Sequence, residues 1–132
     1  MSYDWTEFLD FAERLRMAPD SPVPPGAALR SAASRAYYPA FHYAIAFARQ
    51  EGFDPRYSGD DHRRIQAHFR QHGTPGKTRK KIAKELERLL DHRHWADYRS
   101  RVHKRLDSLA SHAIGMAKSI VENLDSLEPE SL

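Results

Sequence analysis

Two short stretches concentrate the side chains able to do chemistry. In "SRAYYPAFHYA", residues 34–44, Arg35, Tyr38 and His42 follow Ser31 at intervals of four, three and four, which places all four on one face of a helix. In "LLDHRHWADYRS", residues 89–100, His92, Arg93, His94, Asp97, Tyr98 and Arg99 surround a single tryptophan. Guanidinium groups bind phosphate, while imidazoles and phenols donate or carry protons. A guanidinium on an otherwise apolar helix needs a partner. Arg35 therefore reads either as half of a structural pair with an acid such as Asp97, or as a ligand in a phosphate-binding cleft. The second stretch reads either as a cap and salt-bridge cluster, with Asp97 serving Arg93, or as a site at a helix start. There, free backbone N–H groups favour anions.

The charge is uneven. Residues 56–81, "RYSGDDHRRIQAHFRQHGTPGKTRKK", hold eight Lys and Arg against Asp60 and Asp61, a local +6 in a chain whose total is +3. Arg63, Arg64, Arg70, Lys77, Arg79, Lys80 and Lys81 would then track a polyanion backbone. A plainly solvated surface is the commoner explanation of such a stretch. His68 and His72 stand four apart and could share a metal, but no H-E-x-x-H acid lies between them and no third ligand is evident. No metal or other cofactor is therefore expected. Glycine-rich phosphate loops, nucleophile elbows and dinucleotide fingerprints are absent from the sequence, which disfavours the common nucleotide-binding and hydrolase folds.

The elements that must position these groups are helical. The 132 residues suffice for one domain, 1–132, with its own core. The chain has no cysteine, so disulfides, Cys-ligated zinc and thiol nucleophiles are excluded. Neither a signal peptide nor a membrane span is recognisable, and the expectation is a soluble, cytoplasmic protein with no membrane partner. Alternation of strand type is missing. Trp5, Phe8, Leu9, Ala12 and Leu15 predict a first helix over about 3–17, which "MAPDSPVPPG" ends. An alanine-rich second helix over about 27–51 is apolar nearly all round and therefore central, with a kink at Pro39. Asp60 or Asp61 caps a short third helix ending near Gly73, and Thr78 caps a fourth carrying Ile82, Leu86, Leu89 and Leu90. A long last helix runs from about Val102 to Leu124, and residues 125–132 form a frayed acidic tail. The fold class is all-α: an antiparallel bundle of about five helices with a kinked central helix.

"SAASRAYYPAFHYA", followed by "LLDHRHWADY" and a long alanine-bearing helix, resembles the small stand-alone HEPN-domain proteins. Their versions of these stretches look like S-x-x-S-R-A-Y-Y-A-x-F and L-x-x-x-R-x-x-A-D-Y. "GDDHRRIQAHF" is similar to the short His-led helix of those proteins, and the likeness spans about residues 5–124. It implies a HEPN-like homodimer acting on RNA, in many members as a metal-independent endoribonuclease that leaves 2′,3′-cyclic phosphate ends. Some members are toxins paired with a minimal nucleotidyltransferase antitoxin.

Carried over by position, the family's arginine falls on Arg93 and its histidine on Tyr98. A tyrosine, with a pKa of about 10 against about 6.5 for histidine, is a poor base near neutrality. His94 or His42 would have to substitute for it, and Asp97 would orient Arg93. On this reading Arg93, Tyr98, His94 and Asp97 are the catalytic set, and Ser31, Arg35, Tyr38 and His42 line the cleft. The alternative is a catalytically inactive HEPN module that binds RNA, a nucleotide or a partner protein as a regulatory subunit.

Overall fold

The computed structural model describes residues 25–74, 76–98 and 106–130, together with positions 7, 10 and 14; side chains are described over 30–74, 76–94 and 108–130. Four helices account for most of this: α1 (Pro25–Gln50), α2 (Asp61–Gln71), α3 (Lys77–Tyr98) and α4 (Leu106–Ser126). Among the described residues there is no strand. The helix expected over 3–17 lies largely outside them, although Glu7, Asp10 and Arg14 are helical and exposed.

α1 is the central rod, packed most extensively on α4 and then on α3, while α2 rests chiefly on α3. Its alanines explain why: Ala32, Ala33, Ala36, Ala40, Ala44 and Ala48 are fully buried, and side chains that small let neighbouring helices approach closely. Tyr37, Phe41 and Phe47 fill the remaining volume against Ile65 and Phe69 of α2, Leu86 and Leu89 of α3, and Ile114, Ile120 and Leu124 of α4. Each fully buried side chain of this kind contributes about 1.5–3 kcal/mol. Helix α1 is continuous through Pro39, which is buried within it.

Direction follows from which residues meet. The N-terminal turn of α3 meets the end of α1 through Arg79 and Glu51, and its C-terminal half meets the middle of α1 through Arg93 and Tyr38. The two helices are therefore antiparallel. Glu85 of α3 accepts from Ser119 of α4, while Arg88 and His92 face Ser111 and His112, so that pair is antiparallel too. α1 and α4 consequently run the same way, with the Tyr43 hydroxyl on Asp125 near their shared end.

The helix ends bear out the stop of α1 at about residue 51 and correct the caps expected for α2 and α3. α1 stops in a Schellman turn: Phe53 N–H bonds the Ala48 carbonyl at 3.0 Å and Gly52 N–H bonds that of Arg49 at 3.1 Å. Gly52 supplies the left-handed φ of +92° that the turn requires. Asp60 occupies the N-cap of α2 without a side-chain cap bond. Asp61 instead turns back to accept from the N–H groups of Arg56 and Tyr57, fixing the loop before the helix. Thr78 lies inside α3, which begins one residue earlier.

Residues 127–130 are not frayed. Leu127 packs against the core, and Glu130 donates its N–H to Glu51 and accepts from the N–H and hydroxyl of Thr74. A short acidic run reads as solvated in sequence, and only its distant partners reveal that it is docked.

Candidate functional site

The two chemistry-bearing stretches meet. The Arg93 guanidinium carbon lies 4.6 Å from the Tyr38 ring centre and 5.8 Å from that of Tyr37, a cation held over two aromatic faces. Tyr37 is fully buried and stacks on Phe41 at 5.6 Å, whereas Tyr38 is 41% exposed. Arg93 is half-buried and His94, one residue on, is exposed. α1 supplies Tyr37, Tyr38, Phe41 and His42, α3 supplies Arg93 and His94, and α2 supplies one residue that the sequence reading leaves out of its site, His62.

His62 opens α2 and its ring sits 4.5 Å from Phe41 and 5.4 Å from Tyr37. Its Nδ1 is 2.5 Å from the Tyr37 hydroxyl. Burial holds the His62 pKa below its ordinary value; the Arg93 charge adds to this, Asp61 opposes it, and His94 and His42 act with Arg93. Burial likewise lowers His42 and raises the Tyr37 phenol, which Arg93 only partly offsets. The result is a positive patch in which the His62 and His42 rings favour the neutral form. The available signal for His62 is the His-led motif "GDDHRRIQAHF", which marks the family likeness but does not tell which helix face the ring takes.

The other cleft residues are placed less uniformly. Tyr38 and His42 stack at 6.1 Å, and Arg35 Nε donates to Ser31 Oγ at 3.0 Å, so the four share a face as the spacing requires. Arg35, however, is exposed. The expectation of a guanidinium enclosed in the central rod is corrected, because the helix turns that position outward. Asp97 and Tyr98 lie in the last turn of α3, and their side chains are outside the described residues. Residues 89–98 form the C-terminal half of α3 rather than a helix start. The helix dipole therefore does not favour an anion here: a helix C-terminus carries partial negative charge and favours cations, and side chains must supply the positive potential.

Within the basic stretch, Arg63, Lys77, Lys80 and Lys81 are exposed. Arg64 pairs with Asp61 at 2.8 Å and lies over Phe53, and Arg70 pairs with Glu87 at 2.6 Å. Arg79 is a correction. It is buried, and its two terminal nitrogens form a fork on Glu51 at 2.8 and 3.0 Å, so it faces the interior and not a ligand backbone.

The same fork bears on metal binding. Glu51, His68 and His72 bring one ligating atom each to within 4.8 Å of one another, and a cleft of about 410 Å³ opens beside them. Glu51 is thus the third ligand that linear spacing does not reveal. Both of its oxygens are already engaged, by Arg79, by His68 Nε2 at 2.8 Å and by the Glu130 N–H at 2.8 Å. Burial alone would raise this carboxyl, but those hydrogen bonds outweigh it and bring the pKa down to about 2. His72 Nε2 in turn meets the Glu130 carbonyl at 2.6 Å. The cluster is a buried ion-pair network that fastens α1, α2, α3 and the C-terminal segment together.

Comparison with protein families, curated proteins and solved structures finds no match. No helix among the described residues is long and apolar enough to cross a membrane.

Proposed function

We propose that the chain is a HEPN-type protein that binds RNA through a phosphate site centred on Arg93. The observation that carries this is the position of the Arg93 guanidinium over Tyr38: a permanent cation on an aromatic platform, half-exposed, with His62, His42 and His94 around it. A phosphate engages the charge while an unstacked base engages exposed aromatic surface, which is how single-stranded RNA is held without base-specific contacts. Exposed Arg63 on α2 and Lys77, Lys80 and Lys81 at the start of α3 supply further positive charge. A homodimer, a cytoplasmic location and a minimal nucleotidyltransferase partner belong to the same reading, through the family likeness of "SRAYYPAFH" and "RHWADY".

Cleavage is the second reading. His94 favours it, being an exposed imidazole one residue from Arg93. It would take the proton of a ribose 2′-hydroxyl as that oxygen attacks the adjacent phosphorus. Arg93 would stabilise the charge that builds on the phosphoryl oxygens; the P–O5′ bond would break, the leaving oxygen would take a proton from water, and the products would be a 2′,3′-cyclic phosphate and a 5′-hydroxyl end.

Incubation of the purified protein with single-stranded RNA in EDTA separates the two. Salt-sensitive binding without shortening of the RNA selects the binding module, and cleavage abolished in Arg93→Ala selects the nuclease. Binding that is unchanged in Arg93→Ala removes both.

A further inference from the structure

We propose that His62 is an uncharged phosphate donor: with Tyr37 holding its other nitrogen, its Nε2–H binds a phosphodiester oxygen of RNA beside the Arg93 guanidinium. This rests on the RNA-binding reading and adds a residue, a tautomer and a pH behaviour to it.

The tautomer follows from the phenol. Tyr37 is fully buried, and among the described residues its hydroxyl has one hydrogen-bond partner, His62 Nδ1 at 2.5 Å. Burial keeps that phenol protonated at any ordinary pH. Were Nδ1 the donor, the buried hydroxyl would accept and leave its own proton without a partner among the described residues, a cost that donation by the hydroxyl avoids; Nδ1 is then the acceptor and the ring's own hydrogen sits on Nε2. Phe41 and Tyr37 pack the ring in place. Nε2 has no hydrogen-bond partner among the described residues, and His62 is only half-buried, so the donor is presented and unused.

The surroundings select an anion. The groups that face His62 are Arg93 and His94 from α3, His42 and Tyr37 from α1, and Asp61 on its own helix. Among the described residues Asp61 is the one acid of this group, and its carboxylate is committed to the N–H groups of Arg56 and Tyr57 and to Arg64. A second positive charge on His62 would therefore be resisted, while an N–H dipole beside a guanidinium suits the two non-bridging oxygens of a phosphodiester. The same tautomer bars His62 from acting as a base, because Nδ1 is occupied and Nε2 already carries a proton. Any proton acceptor for cleavage must then be another group.

Two measurements test this. Long-range ¹H–¹⁵N NMR of the wild-type protein at pH 7 should show His62 protonated on Nε2; a ring protonated on Nδ1, or a charged ring, overturns the proposal without any variant. Binding of a short single-stranded oligouridylate, read by fluorescence anisotropy, should weaken about tenfold in His62→Ala. It should be largely restored in His62→Gln, whose amide N–H₂ reaches the place of Nε2. The change in affinity between pH 8 and pH 6 should be the same in wild type as in His62→Gln, whereas Tyr37→Phe, which frees the ring to protonate, should tighten more than either as the pH falls. If His62→Ala binds like wild type while Arg93→Ala does not, this inference fails and the RNA-binding reading stands. If wild type does not bind, or Arg93→Ala binds equally well, the RNA-binding reading fails and takes this one with it.

Discussion

The Arg93 guanidinium lies 4.6 Å from the centre of the Tyr38 ring, which ties the C-terminal half of α3 to the middle of α1 at a half-exposed position. The contact needs a planar, delocalised cation, so lysine is not an equivalent. Arg93→Lys should lower RNA affinity about threefold to tenfold while keeping the charge, in line with a cation–aromatic contact of about 0.5–1 kcal/mol and a lost bidentate fork. Arg93→Ala should lower it further. Anisotropy titrations at two salt concentrations check both. Equal affinity for Arg93→Lys and wild type would mean that the stacked geometry is irrelevant to binding.

Arg79 and its neighbours Lys80 and Lys81 should separate stability from binding. Arg79 is 4% exposed and forks onto Glu51, whereas both lysines are exposed. Arg79→Ala strands a buried carboxylate and should cost about 3–5 kcal/mol in urea unfolding. Lys80→Ala and Lys81→Ala should each stay within about 0.5 kcal/mol of wild type. Each should reduce the slope of log affinity against log salt by about one.

Stability should fall on acidification in two stages. His62, His42 and His68 all have pKa values lowered in the fold, chiefly by burial, with Glu51 opposing the shift at His68. Between those values and the unfolded pKa of about 6.5 the unfolded chain binds more protons, so their contribution is present above about 6.5 and declines below it. Glu51, at about 2 in the fold, contributes fully above its unfolded value of about 4.3 and loses that contribution as the pH falls towards 2. Melting temperatures from pH 8 to pH 3 in constant salt read both stages. A melting temperature that rises between pH 7.5 and pH 5.5 would contradict the histidine assignments.

Gly73 should be the most sensitive glycine. It adopts φ +72°, and a Cβ there would collide with the Glu130 carboxylate, which accepts from the N–H and hydroxyl of Thr74. Gly73→Ala should destabilise by about 1 kcal/mol or more through backbone strain alone. It should also release the C-terminal segment, seen as faster amide exchange at Glu130, whose N–H is held by Glu51 in the wild type. Unchanged exchange there would show that Glu130 keeps its partners despite the added methyl group.

The amino-acid order by itself determined the helices and their inward faces. The interval of three and four that sets Ile82, Leu86 and Leu89 on one side of α3, and Leu109, Ala113, Ile120 and Leu124 on one side of α4, survives intact in the packed core. It also marked both stretches that meet at Arg93 and Tyr38. Periodicity reports which residues share a face, and it says nothing about what that face meets.

The tertiary structure decided the partners. It turned Arg35 outward and Arg79 inward, brought His62 from α2 onto Tyr37, and closed Glu51 with residues from α2, α3 and the C-terminal segment. Glu51 and Glu130 stand 79 positions apart. Which groups pair across such distances depends on how helices cross and where their ends fall, and a Schellman turn at Gly52 that aims one carboxylate at the interior leaves no periodic trace in the chain.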